Sequence, residues 1–169
     1  MATKAFVPVE VYLRCSDYEP DAEYVDGQIE ERPMGQFDHA DWQQAIVAWF
    51  NRYGKEWGVR ALPELRVRVA DDIYRVPDVT VLDRSRPREQ TVTVPPAAVF
   101  EVLSPEDRVL RMKRKLADYS SMGIEQIWVV DPADGSWMRY TAGQLSPQTT
   151  FEAWGVKFEV SKIAEMLLD

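Results

Sequence analysis

The sequence has one cysteine, Cys15. No internal disulfide can form, and a cysteine-rich metal site is excluded. It also has one histidine, His39, which leaves little room for a Ser-His-Asp arrangement, and no such order is found. No apolar run approaches the ~18 residues needed to cross a bilayer. The opening Met1-Ala2-Thr3-Lys4-Ala5-Phe6 carries no signal-peptide core or cleavage site, so a cytoplasmic location is expected, and the single cysteine agrees with a reducing compartment. There is no P-loop and no Gly-x-Gly-x-x-Gly, so no nucleotide cofactor is expected. No repeat, low-complexity tract, helix-turn-helix or zinc finger is present. Positive charge is short: 20 Lys and Arg stand against 28 Asp and Glu, a net charge of −8. That total argues against a broad basic face for duplex DNA. A local basic patch remains compatible with it, and so does a metal site built from carboxylates.

What is present suits one compact α/β domain. The 169 residues are 46% hydrophobic and 28% charged, ordinary for a globular chain. The expectation is a single domain over 1–169, with its core at about 20–160 and a short closing helix at 161–168. Residues 1–22 are mixed, with Pro8 and Pro20 as breakers. Residues 23–30 read as a hairpin turning at Asp26-Gly27, interrupted afterwards by Pro33-Met34-Gly35-Gln36. A helix is predicted from Asp38, as N-cap, to Trp57, with Ile46, Val47, Phe50, Tyr53 and Trp57 inward. Gly54 should weaken it and Gly58 end it. Trp42 and Trp49 on this helix are candidates for core or dimer contacts.

Leu65–Val69 alternates as a strand. Ile73–Leu82 reads as a second, interrupted at Pro77, and Ala97–Leu103 as a strand buried on both faces. Ser104-Pro105 should open a helix running to Met122 with Val109, Met112, Leu116 and Tyr119 inward. Glu125–Val130 then forms a buried strand parallel to 97–103, and Trp137–Thr141 returns. The whole predicts a mixed central sheet flanked by helices.

Asp78, in Val76-Pro-Asp-Val-Thr-Val81, and Glu101, in Val99-Phe-Glu-Val-Leu103, are acids inside strands expected to be buried. A buried carboxylate needs a partner, because desolvating a lone charge costs several kcal/mol. The structural solution is an arginine for each, such as Arg66, Arg68 or Arg75. The functional one is a shared hard cation, Mg²⁺ or Mn²⁺, held by carboxylates and water. Lys115 borders the inward stripe of its helix. Either its stem packs while its amine snorkels to water, or the amine faces the two acids and assists an attacking water. Glu23 and His39 are possible accessories, each with an ordinary structural alternative: a hairpin ion pair, and a hydrogen-bonded residue at a helix start.

These segments, Arg75-Val-Pro-Asp-Val79, Phe100-Glu-Val-Leu-Ser-Pro105, Lys115-Leu-Ala-Asp-Tyr119 and Gly123-Ile-Glu-Gln-Ile-Trp-Val-Val-Asp-Pro132, with Glu23-Tyr-Val-Asp-Gly27 and His39, resemble the Uma-type family of predicted restriction endonucleases, formerly a domain of unknown function. The resemblance spans about residues 20–160. It implies a restriction-endonuclease-like PD-(D/E)XK fold, with Asp78 as first acid and Glu101 as second. Position 103 is leucine where the motif's lysine usually stands, and Lys115 on the following helix takes that place. Asp107 and Arg111 stand where the family usually has threonine and aspartate. The implied function is a metal-dependent endonuclease hydrolysing DNA phosphodiester bonds. Asp78 and Glu101 would bind Mg²⁺ or Mn²⁺, Lys115 would assist, and Arg108, Arg111, Lys113 and Arg114 would meet phosphates. A homodimer is expected for duplex cleavage. The alternatives are an inactive nuclease-fold module acting through protein or nucleic-acid contacts, and a structural partner of another subunit.

Overall fold

The structure, a computed structural model, describes residues 5–15, 22–33 and 35–168. The predicted breaker Pro20, and Met34 within the predicted interruption, lie outside these residues. In chain order the elements are α1 (Val9–Arg14), β1 (Glu23–Val25), β2 (Gln28–Glu30), α2 (Phe37–Arg52), α3 (Gly54–Trp57), β3 (Val59–Pro63), β4 (Val67–Ala70), β5 (Ile73–Arg75), β6 (Val79–Asp83) and β7 (Ala98–Val102). They continue with α4 (Val109–Met122), β8 (Ile127–Asp131), β9 (Ser136–Thr141), β10 (Gln144–Pro147), β11 (Thr150–Ala153), β12 (Val156–Glu159) and a 3-10 helix, Val160–Met166. Among the described residues no helix is long and apolar enough to cross a membrane.

The strands form a six-stranded sheet in the order β10-β9-β8-β7-β6-β3, a four-stranded sheet in the order β2-β1-β5-β4, and the hairpin β11-β12. The larger sheet is mixed. β7 runs parallel to β8, as the βαβ reading predicts, and antiparallel to β6. β7 is buried along its whole length, and its period of two sorts its residues between two cores. Ala98, Phe100 and Val102 join the core built with α2, β11, β12 and the 3-10 helix. Val99 joins the core built on Leu116 and Tyr119 of α4. Glu101 shares the Val99 face and is therefore aimed at α4.

The hairpin β1-β2 turns at Asp26 (φ 49°) and Gly27 (φ 82°), the double positive φ that an Asp-Gly turn supplies. Four expectations need correction. The predicted 38–57 helix divides at Tyr53 into α2 and α3, and its N-cap is Gln36. Asp38 sits instead in the first turn, where its charge suits the helix dipole. Ile73–Leu82 is not one strand: β5 and β6 belong to different sheets, because Pro77 has no N–H to continue a ladder. α4 opens at Val109, not at Ser104-Pro105. Asp107 Oδ2 accepts the Ser104 N–H at 2.6 Å, a side-chain turn that competes with helix initiation. With the start displaced, Val109 is 68% exposed rather than inward.

β3, β10, β11 and β12 were not expected: each is only four or five residues long and β3 and β10 end in proline, although Val156-Lys-Phe-Glu159 alternates cleanly. They are nonetheless integral. Phe151 of β11 is fully buried and stacks on Phe158 at 5.0 Å, with Phe50 at 5.7 Å and Trp128 at 5.8 Å. Trp42 and Trp49 are likewise core. Phe151→Ala should lower unfolding free energy by about 3–5 kcal/mol, read as a reduced urea midpoint. The half-exposed Trp154→Ala should shift it far less.

Candidate active site

The chain crosses from the four-stranded to the six-stranded sheet at Val76-Pro77-Asp78, all buried. Buried backbone must find partners, and here side chains from three other elements and one backbone N–H supply them. Val76 N–H donates to Glu23 Oε1 at 2.9 Å, and the Val76 carbonyl accepts Lys115 Nζ at 3.3 Å. The Asp78 carbonyl accepts Gln43 Nε2 at 2.8 Å and the Glu64 N–H at 3.3 Å. Asp78 Oδ2 in turn accepts the Val102 N–H at 2.8 Å, at the end of β7.

This crossing places the two predicted acids side by side. Val79 is paired with Phe100, so the same register, continued by one position, sets Asp78 opposite Glu101. Antiparallel neighbours share a face, here the face covered by α4. From that helix Lys115 and Tyr119, one turn apart, reach the same carboxylate. Lys115 Nζ lies 3.0 Å from Glu101 Oε1 and 3.1 Å from Oε2. The Tyr119 hydroxyl donates to Oε1 at 2.6 Å. Lys115 also reaches Glu23 Oε1 at 2.9 Å. The lysine does not snorkel: it is 8% exposed.

His39, in the first turn of α2, approaches Asp78 Oδ2 with Nε2 at 3.3 Å. Thus Glu23, His39, Asp78, Glu101 and Lys115 all line one cavity of about 220 Å³.

Some residues that sequence reading missed complete the site. Arg32 Nη2 donates to Asp78 Oδ1 at 2.7 Å. Nothing in the sequence signals this contact between residues 46 positions apart. Tyr119 was assigned only to the inward stripe, although a buried tyrosine hydroxyl itself demands a partner. None of the arginines offered for the two acids binds them. Arg66 lies over the Tyr12 ring and Arg68 pairs with Asp71. Arg75, fully buried, is held by Glu23, Glu30 and Asp118 at 3.1, 3.0 and 2.7 Å. Of the four basic residues expected to meet phosphates, Arg111 and Arg114 are engaged by Glu30. Arg108 and Lys113 are exposed.

Burial and charge set the protonation states. Burial raises Glu101, Lys115 opposes the rise, and Asp78 and Glu23 add to it, so its carboxyl is pushed up to about 8. Burial also works against ionised Asp78 and Glu23. In Asp78 the His39 hydrogen bond, Lys115 and Arg32 prevail and hold it well below the usual range. In Glu23, Lys115, Arg75 and the Val76 N–H prevail in the same direction. Burial disfavours the charged forms of His39 and Lys115, but their acid partners outweigh it and raise both.

The donor chemistry suits a hard divalent cation. Two carboxylates on adjacent strand positions line one cavity, and Mg²⁺ is commonly held by one or two carboxylates with water and phosphate oxygens. Among the described residues, no group of three or more His, Cys, Asp or Glu is placed so that it could hold a metal ion by itself. Any ion here would draw its remaining ligands from solvent or substrate.

Residues 9–159 match the model of the Uma2 family, described as "Putative restriction endonuclease". The chain belongs to this family. Among solved structures, a putative nuclease belonging to DUF820 from Anabaena variabilis ATCC 29413 superposes with a TM-score of 0.80. At 24% identity, the alignment covers 96% of this chain and 99% of that one. No curated protein matches. The expected α/β fold, a mixed central sheet flanked by helices in the restriction-endonuclease-like arrangement, is thereby established.

Because Glu23 titrates lower folded than unfolded, its contribution is present above its ordinary value of 4.5 and is lost as pH falls below it. Glu101, raised, keeps its proton when folded but takes one up near its ordinary value of 4.5 when unfolded, so it opposes that slope above about pH 4.5 and ceases to contribute only once both states are protonated. Glu23→Gln should destabilise the protein at neutral pH by about 3 kcal/mol, as for a broken buried ion pair. It should also flatten the fall in stability between about pH 5 and pH 3. Asp78 keeps part of that slope. Urea unfolding across this range checks both.

Proposed function

We propose that this protein is a metal-dependent endonuclease hydrolysing DNA phosphodiester bonds, with Asp78 and Glu101 holding Mg²⁺ or Mn²⁺ and Lys115 acting beside them. The observation that carries this reading is the convergence on one cavity of two adjacent buried acids and a buried lysine from β6's threshold, β7 and α4. Membership in a family described as "Putative restriction endonuclease" supports the substrate class.

A bound divalent ion would polarise a phosphoryl oxygen and acidify a water. The chain's own residues supply the rest. Asp78 is fixed by the Val102 N–H and Glu101 by Tyr119, so both carboxylates are oriented before a substrate arrives. Lys115, whose pKa its acid neighbours raise against burial, offers positive charge where a pentacovalent phosphorus gathers negative charge. His39, whose pKa the Asp78 hydrogen bond raises, faces the same acid from the α2 side. Glu23 positions Lys115 through the 2.9 Å contact. Arg108 and Lys113, exposed at the start of α4, serve as backbone phosphate contacts. Cleavage of both strands of a duplex calls for a symmetric pair of chains.

The Arg32 contact with Asp78 favours a second reading, an inactive nuclease-fold module whose acid is permanently neutralised. Plasmid cleavage separates the two. Wild type should nick supercoiled DNA in Mg²⁺ or Mn²⁺. Lys115→Met should reduce the rate by about 10²-fold or more, and Asp78→Asn should abolish it. Absence of nicking by the wild type, or nicking unchanged in Asp78→Asn, would leave the module reading.

A further inference from the structure

We infer that Arg32 is a displaceable counter-cation: it neutralises Asp78 in the cation-free protein, shifts to Glu64 when a divalent ion takes Asp78, and so sets the affinity for that ion. The inference rests on the metal-holding reading of Asp78 and Glu101.

Arg32 stands between two acids. Nη2 is 2.7 Å from Asp78 Oδ1, and Nη1 is 3.6 Å from Glu64 Oε1. The first contact is buried, with the side chains 9% and 4% exposed. Glu64 is 48% exposed and marks the solvent side of the same cavity. The guanidinium therefore already spans the path from the buried acid to the outer one, and its fork can serve either.

The backbone on both sides of this path is fixed. Pro33 restricts Arg32 to extended conformations, and the preceding Glu31 carbonyl accepts Arg111 Nη2 from α4 at 2.6 Å. Glu64 holds a left-handed backbone, φ 53°, rare for a residue with a side chain. Its N–H is tied to the Asp78 carbonyl. Such a conformation persists only where its surroundings enforce it, and here it sets the Glu64 carboxylate within reach of Arg32. That carboxylate's other partner is Gln43, at a long 3.5 Å. It is thus available to receive the guanidinium fully.

Charge decides which resident cation yields. A divalent ion at Asp78 would face Arg32, His39 and Lys115 at short range, where like charges repel strongly in a low dielectric. Lys115 is enclosed and held by Glu23, both oxygens of Glu101 and the Val76 carbonyl. His39 bonds Asp78 through Oδ2. Arg32 has one buried partner and a waiting exposed one, so it has the least to lose by moving. Each release of Arg32 is then coupled to ion binding, and each vacancy at Asp78 is refilled by an internal cation rather than by solvent.

The test is Mn²⁺ affinity by calorimetry for wild type, Arg32→Met, Arg32→Gln, Arg32→Lys and Glu64→Gln, each confirmed as folded by thermal unfolding. Removing the competing charge in Arg32→Met or Arg32→Gln should tighten Mn²⁺ binding by about tenfold. Arg32→Lys, which keeps the charge, should stay near wild type. Glu64→Gln, at an exposed position, should weaken binding, because the displaced arginine loses its receiving acid. Wild-type binding that is unchanged or weakened in both neutral Arg32 variants, or unchanged in Glu64→Gln, would overturn the inference alone. Failure of every variant and the wild type to bind millimolar Mn²⁺ would remove the metal-holding reading with it.

Discussion

The arrangement depends on one constraint: at Val76-Pro77-Asp78 a chain passes between two sheets while fully buried, and its backbone polar groups must be satisfied there. No ladder can do this, because Pro77 has no N–H and the strands on either side belong to different sheets. Glu23, Lys115, Gln43 and the Glu64 N–H supply the missing partners. The groups that close this gap are the same groups that line the cavity. Structural and chemical roles therefore cannot be separated at Glu23 or Lys115, and the geometry of the acids is as rigid as the junction itself.

Around this junction the charges form a graded series. At the closed end Arg75 sits among Glu23, Glu30 and Asp118, fully buried and with every donor nitrogen engaged. In the middle Lys115 bridges Glu23 and Glu101. At the open end Arg32 and His39 meet Asp78, beside solvent and Glu64. Buried ion pairs gain little net stability over a hydrophobic core, but removing one member is costly. A series that becomes looser toward solvent keeps the interior members fixed and leaves the outer arginine able to exchange partners. Overall negative charge is consistent with this plan, since the acids of the site are compensated internally rather than by a basic surface.

Much of this was legible in the sequence, for identifiable reasons. Asp78 and Glu101 were visible because a charge inside an apolar strand is conspicuous, and the parallel pairing of β7 with β8 followed from the helix between them. Period-two alternation then fixes which core each β7 residue joins. Other features were hidden by physics that a linear reading does not carry. Arg32 lies in a polar loop with no periodicity, and only tertiary folding brings it to Asp78. Pro77 reads in the sequence as an interruption within one strand, whereas it marks a change of sheet. The helix after β7 was placed too early because Ser-Pro commonly opens a helix, and Asp107 diverts the backbone first. β11 and β12 are only four residues each, although Val156-Lys-Phe-Glu159 alternates cleanly, and Phe151 is fixed in its strand by packing against Phe50, Trp128 and Phe158.

The most direct test of the central claim is anomalous diffraction from crystals soaked in Mn²⁺. The account predicts a single strong peak in the cavity beside the Asp78 and Glu101 carboxylates, with Lys115 still bonded to Glu23. A peak elsewhere on the chain, or none at an Mn²⁺ concentration of several millimolar, would contradict it.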